Sequence, residues 1–243
     1  MIRHKSEQYS PAWWRARLGL PTASAARRLI TPARLDPSAS IESYAAELAL
    51  ERIRGTPTVA HTRGAPAPEC GHALEPQALA AYAYASELRV QRVGLCLEPR
   101  ARFGGSPDAL VSDSSAGPGG VEIKCPRDTE WCRVVMYVER HGQAPAAYLP
   151  QAHMLMLVTG RPWWDLAFWH PDFPDDPLVC RVHRCPRYHR ALILGIAAVR
   201  RRRDALISVL LRRGAIVPAS RALPILDPAP WSPAPIRTAT REH

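Results

Sequence analysis

The sequence predicts an α/β protein of the α+β type, in which a mixed sheet is flanked by helices. Three observations predict it. Apolar residues make up 47% of the 243 positions, enough for one sizeable core. Segments with helical periodicity stand both before and after a group of short, alternating segments. Gly- and Pro-rich stretches separate these short segments, as strand connections require.

Taken in order, Thr22-Ala23-Ser24 precedes a run of small residues and reads as a capped helix start. Residues 41–54 form a helix with Tyr44, Leu48 and Ile53 on its apolar stripe, stopped by Gly55. Residues 71–86 read as a second helix, with Leu74, Ala78 and Ala81 on one side. Pro76 is placed in its first turn, where a missing N–H costs little. Strands are expected over 90–97, 103–111 and 120–125, the last two joined by the turn-rich span 112–120. Helices over 127–140 and 146–159 flank a break at 142–145. A strand over 163–169 follows, then a long basic helix over 188–213 closed by Gly214. Many of the 25 prolines lie in 56–76, 171–186 and 218–235, which read as loops or tail. One domain over 1–217 and a Pro-rich tail over 218–243 are therefore expected.

The net charge of +10 points to a polyanionic partner, most commonly nucleic acid, against the plainer reading of a solubility bias. Arg200–Arg203 and Arg212-Arg213 load the last helix with cations that either follow DNA phosphates or form a solvated face or subunit contact. The first ten residues lack an apolar leader, and the longest apolar run, 191–199, is too short to cross a bilayer. Six cysteines form no C-x-x-C pair, so a cytoplasmic chain with reduced thiols is expected. Cys180, His183 and Cys185 lie close together in sequence but lack a fourth ligand, which favours ordinary thiols over a metal site. Trp13, Trp14, Trp131, Trp163 and Trp164 are expected mainly in the core, with one available as a wedge against a terminal base pair.

The chemistry concentrates in Ser106-Pro107-Asp108 and Val121-Glu122-Ile123-Lys124. Alternation along a strand puts Glu122 and Lys124 on one face and Val121 and Ile123 on the other. The intervening turn brings Asp108 beside them. Paired carboxylates hold a hard cation through oxygen, and an adjacent lysine orients water or offsets charge developing on phosphate. The plain alternative is an exposed edge strand with a surface Glu and Lys.

With their surroundings, these residues resemble the lambda-exonuclease-like viral recombinase nucleases, a branch of the PD-(D/E)xK superfamily. Five blocks carry the resemblance, in the family's order, over about residues 9–170. They are the segment from Trp14 through Arg17 to Thr22-Ala23-Ser24; Gly71-His72-Ala73-Leu74-Glu75; Gly105-Ser106-Pro107-Asp108; Val121-Glu122-Ile123-Lys124-Cys125-Pro126; and Tyr148-Leu149-Pro150-Gln151, with the 163–171 strand after it. The resemblance implies a restriction-endonuclease-like PD-(D/E)xK core. It implies that Glu75, Asp108, Glu122 and the Ile123 backbone carbonyl hold Mg²⁺ or Mn²⁺, as two ions, that Lys124 is the catalytic lysine, and that Gln151 positions water or the scissile phosphate. In the same way Arg17, Ser24 and Ser106 are implied to form a pocket for a 5′-terminal phosphate. Tyr148 and Gln151, three apart, share a helix face independently of the family.

The chain departs from the family's pattern at three positions. His153 stands where a second Gln is frequent, which puts the detail of water placement in doubt. Ala109 follows the motif aspartate where Gly is common. Pro150 fits only within a first helical turn. The expected activity is 5′→3′ digestion of linear double-stranded DNA, leaving 3′ tails for recombination. Duplex DNA ends are the expected substrate, a single-strand annealing protein is the companion, and a ring-shaped homotrimer is implied. The competing readings are a PD-(D/E)xK endonuclease or single-strand-preferring nuclease, and a non-catalytic DNA-end-binding module.

Overall fold

The computed structural model describes residues 1–58, 68–175 and 177–215. The expected tail over 218–243 and its boundary at 217 lie outside them. In chain order the elements are β1 (Ile2–Arg3), α1 (Pro11–Arg17), a 3-10 helix (Ala23–Arg28), α2 (Ile41–Arg54), α3 (Pro68–Ser86), β2 (Val90–Gln91), β3 (Cys96–Leu97), β4 (Gly104–Gly105), β5 (Ala109–Val111), β6 (Gly119–Lys124), α4 (Asp128–His141), α5 (Leu149–Thr159), β7 (Trp163–Phe168), β8 (Leu178–His183) and α6 (Pro186–Arg212). The helix stops are local chemistry: Gly55, Gly142 and Gly160 take left-handed φ values of 71°, 63° and 75° after α2, α4 and α5.

Five strands form a mixed sheet in the order β2-β5-β6-β7-β8, and three short ones form a second sheet, β1-β3-β4. Among the described strands of this sheet only β6 and β7 pair in parallel, and α4 and α5 supply the crossover such a pair needs. Both faces of the five-stranded sheet are covered. On one side Ala78, Leu79 and Tyr82 of α3 pack on Ala109, Val121, Ile123, Ala167 and Trp169. On the other, Leu110, Trp164, Leu166 and Phe168 join the larger core with α2, α5 and α6. Strand β6 is thus central and buried, which removes the exposed edge-strand reading of Glu122 and Lys124.

Several expectations need correction. Each strand expected over 90–97 and 103–111 is two strands, and the halves belong to different sheets. The first breaks near Gly94, where an added Cβ would sit 2.3 Å from the Ser6 carbonyl. The second breaks at Ser106-Pro107-Asp108, because Pro107 has no N–H for a ladder. Strand β8 lies inside the stretch 171–186 that reads as loop. The segment after Thr22 is a 3-10 helix, and Thr22 makes no side-chain cap bond. Helix α3 starts at Pro68, so Pro76 lies in its interior, where it removes one helix hydrogen bond.

The arginine run divides as well. Arg203 is buried and donates to the Gly19 carbonyl at 2.6 Å and to Asp204 at 2.7 Å, while Arg202 pairs with Glu42 of α2. Arg203 therefore serves packing of α6, Arg202 makes a surface ion pair with α2, and Arg201 faces solvent. Among the described residues no helix is long and apolar enough to cross a membrane.

Candidate active site

Asp108 stands where the chain leaves the small sheet and enters the large one, between β4 and β5. The register pairs Ala109 with Val121, so its continuation sets Asp108 opposite Glu122. Asp108 Oδ2 accepts the Ile123 backbone N–H at 2.6 Å, which ties the two strands at the point of chemistry. On β6, Val121 and Ile123 turn towards α3, while Glu122 and Lys124 turn the other way, as alternation requires. Lys124 Nζ lies 2.9 Å from Glu122 Oε1 and 3.0 Å from Gln151 Oε1, and Gln151 Nε2 donates to the same Glu122 oxygen. Pro150 does sit in the first turn of α5, and this start brings Gln151 over the strand.

Glu75 arrives from α3. Its Oε1 accepts from Arg92 Nη2 at 2.7 Å. Glu75, Asp108, Glu122, Ile123, Lys124 and Gln151 all line one cavity of about 540 Å³, and Arg17, Ser24 and Ser106 line it too. All nine residues singled out from the sequence therefore meet in one place.

The electrostatics describe an acidic cavity. Burial, then the charges of Glu122 and Glu75, raise the Asp108 pKa well above the usual carboxylate range. Burial also raises Glu122, with Lys124 and its hydrogen bond pulling the other way. For Lys124 burial favours the neutral amine, but the charges of Glu122 and Asp108 outweigh it and the ammonium is held. Burial, Asp108 and Glu75 push the Cys125 thiol up to about 11. Glu122 Oε2 is buried without a hydrogen-bond partner. Acids raised in this way, with an orphaned carboxylate oxygen between them, fit a divalent cation held through oxygen. Among the described residues no three acidic, His or Cys side chains already enclose such an ion; Glu75 is engaged by Arg92.

At the other end of the cavity, Arg17 reaches Thr22 Oγ1 at 3.3 Å, and Thr22 Oγ1 lies 3.4 Å from Ser24 Oγ. The Arg17 guanidinium rests on Trp13, 4.4 Å from the ring centroid, and Trp13 Nε1 donates to Ser106 Oγ at 2.8 Å. Burial lowers the Arg17 pKa, and the charges of Tyr44 and Glu51 work against that.

Tyr9, Gln8 and Thr22 also line the cavity, and sequence reasoning gave them no site role; Trp13, expected as core or as a wedge against a terminal base pair, lines it too. A signal existed for Trp13. Ser10 caps α1 through Trp13 N at 3.2 Å, and the i, i+4 spacing then sets Trp13 and Arg17 on one face.

His153 is not part of the cavity. Its ring is buried and stacks on Tyr188 of α6 at 4.1 Å, so it cannot replace a water-placing glutamine. Cys180 is buried and His183 exposed, three apart on β8 and so on opposite faces. With Cys185 they form no metal cluster among the described residues.

Comparison with known proteins gives the family and the fold. Residues 12–162 match the model of the YqaJ-like viral recombinase domain. The chain belongs to that family. This YqaJ-like chain is 32% identical to the alkaline exonuclease LHK-Exo from Laribacter hongkongensis, with a TM-score of 0.70, over 85% of this chain and 98% of that one. A structure of LHK-Exo in complex with dAMP matches equally. A phage-related exonuclease from Haemophilus somnus 129PT, 14% identical, shares the fold at a TM-score of 0.60 over 79% of this chain and 96% of its own. No curated protein matches the sequence. The fold of this YqaJ-like chain is the PD-(D/E)xK core, a mixed sheet flanked by helices.

Proposed function

We propose that this YqaJ-like protein is a Mg²⁺-dependent 5′→3′ exonuclease that digests linear double-stranded DNA and leaves 3′ single-stranded tails for recombination. That the chain is a nuclease follows from its family and from its likeness to an alkaline exonuclease over nearly that protein's whole length. One observation carries the rest. Three carboxylates, an ammonium and an amide occupy the same cavity as an arginine and two hydroxyls suited to a phosphate.

In this reading Glu75, Asp108, Glu122 and the Ile123 carbonyl hold two divalent ions, Mg²⁺ or Mn²⁺. When bound, such ions polarise the phosphate and activate water. Lys124 stays protonated between Glu122 and Gln151, where it offsets charge developing on the phosphate. Gln151 offers one end of its amide to Lys124 and the other to Glu122, which fixes the orientation of both. Arg17, Ser24 and Ser106 receive the 5′-terminal phosphate, with Arg17 supplying a rigid fork of donors. Filling that pocket before cleavage sets the distance from the strand end to the acids, which favours removal of nucleotides one at a time. The positive net charge suits duplex DNA ends. A homotrimeric ring, a single-strand annealing protein as companion and the cytoplasm of a bacterial host are the setting this reading carries.

The test is digestion of linear duplex labelled at either end, with Mg²⁺ or EDTA and with 5′-phosphate or 5′-hydroxyl termini. The expected result is Mg²⁺-dependent loss from 5′ ends only, faster with the phosphate and slowed about 10²–10³-fold by Lys124→Ala. Cutting of a closed circle would instead identify an endonuclease. Retention of intact DNA whatever the metal would identify a binding module.

A further inference from the structure

Tyr9 has no part in the roles above, and its backbone is strained. Its φ is +66°, left-handed in a residue that carries a Cβ. It is the third residue of a turn closed by the Ser10 N–H on the Glu7 carbonyl at 3.2 Å, a position where this conformation selects Gly or Asn. The turn is fixed on both sides. Gln8 Nε2 donates to the Pro107 carbonyl at 3.3 Å, and Ser10 both bonds Glu7 O at 2.7 Å and caps α1. A segment held so firmly would be satisfied more easily by glycine, yet the chain presents an aromatic ring there. Strain of this kind gathers at functional sites.

The place of the ring says what it serves. Tyr9 is 45% exposed, and its ring leans on Trp13 with centroids 5.2 Å apart. Trp13 in turn carries Arg17 and holds Ser106. Tyr9 lines the catalytic cavity and also a second one of about 540 Å³, bounded by Lys5, Gln8, Glu75 and Arg92. It therefore stands between the Arg17 end, the acids, and a further pair of cations.

We propose that Tyr9 is a nucleobase-stacking residue, whose ring holds the base of the nucleotide next to the bond being cut. The proposal rests on the nuclease reading above and extends it to the recognition of the base. A nuclease that removes successive nucleotides must hold each base whatever its identity, and an aromatic face does so because every base has a π-face. Donors and acceptors aimed at base edges would instead discriminate.

The experiment compares the wild type with Tyr9→Trp, Tyr9→Ala and Tyr9→Gly in two assays and a thermal melt. The first assay titrates 2-aminopurine deoxynucleoside 5′-monophosphate in EDTA, where stacking quenches a bright free base and no cleavage occurs. The second measures KM and kcat on 5′-phosphorylated linear duplex. Expected are saturable quenching by wild type and Tyr9→Trp, with Kd and KM raised about 5- to 100-fold in the Ala and Gly variants and kcat changed less. Tyr9→Gly is expected to melt no lower than wild type, because it gives the turn the residue its φ prefers. Wild-type Kd and KM in Tyr9→Gly overturn the stacking role while leaving the nuclease reading intact. A Tyr9→Gly protein that melts lower and is not rescued by Tyr9→Trp makes the ring merely structural, and also overturns it. A wild type that neither digests duplex nor quenches the nucleotide overturns both.

Discussion

Asp108 and Ile123 are joined by a hydrogen bond of 2.6 Å, from the backbone N–H of one strand to the carboxylate of its neighbour. The bond accounts for one oxygen of a carboxylate that burial and the charges of Glu122 and Glu75 make unwilling to ionise. Folding thus brings Asp108 in against an electrostatic penalty, which a divalent ion would relieve.

Replacing Asp108 with Asn keeps an acceptor for Ile123 and removes the charge. The expected outcome in EDTA is a Tm higher by roughly 2–8 °C, from about 1–2 kcal/mol of relieved repulsion. The same variant should lose activity by about 10³-fold or more. Mg²⁺ should raise the wild-type Tm and leave that of Asp108→Asn nearly unchanged. Scanning calorimetry with and without Mg²⁺ decides it. An Asn variant that melts lower in EDTA and is still stabilised by Mg²⁺ would refute the account.

Lys124 and Gln151 make different contributions, and kinetics should separate them. Lys124→Ala removes the ammonium between Glu122 and Gln151 and leaves a buried carboxylate without its partner. A fall in kcat of about 10²–10³-fold with KM little changed is expected, together with a lower Tm. Gln151→Ala removes one orienting amide, for which a loss of about 10-fold suffices. Equal losses in the two variants would mean that Gln151 does more than orient.

Gly119 and Gly120 are required by tryptophans. They pair with Trp163 and Trp164 on the parallel neighbour, and a Cβ would come within 2.1 Å and 2.3 Å of those rings. Gly119→Ala and Gly120→Ala should each cost about 1–3 kcal/mol or more, read as a shift in urea midpoint with m unchanged. Unchanged midpoints would show that the rings can move aside.

The same glycines show where the sequence was legible and where it was not. Residues Val121 to Lys124 alternate in type, and the faces they take follow from that alternation alone. Gly119-Gly120 look like turn residues, because what selects them is the two rings of a strand more than forty positions later. Strand β8 hides for a similar reason: its neighbours are prolines, and its pairing partner β7 is what makes it a strand. The nine residues brought together were visible because each carries chemistry in a motif. Tyr9 was not, since a left-handed φ at an aromatic residue leaves no trace in the sequence.

A pair of buried histidines should make the fold acid-sensitive. His153 and His189 are each 3% exposed, with rings 5.4 Å apart between α5 and α6. Burial depresses their pKa values to about 4 and about 3, and for His189 the charges of His153 and Arg184 add to it. Their Nδ1 and Nε2 atoms respectively are buried without partners, while Arg184 Nε donates to His189 Nδ1 at 3.4 Å. The unfolded chain takes up a proton on each ring below about 6.5, whereas the folded one resists until about 4 and about 3. Stability from these rings is thus fully present above pH 6.5 and is lost as pH falls towards those lower values. At pH 5 the loss relative to pH 8 is about 2 kcal/mol per ring. Urea unfolding at pH 8 and pH 5 should therefore show a difference in the wild type that shrinks by about 4 kcal/mol in His153→Phe/His189→Phe. The comparison between proteins isolates the histidines from the carboxylates of the cavity, whose raised pKa values act with the opposite sign. A double variant that loses as much stability on acidification as the wild type would show that these rings do not set the response.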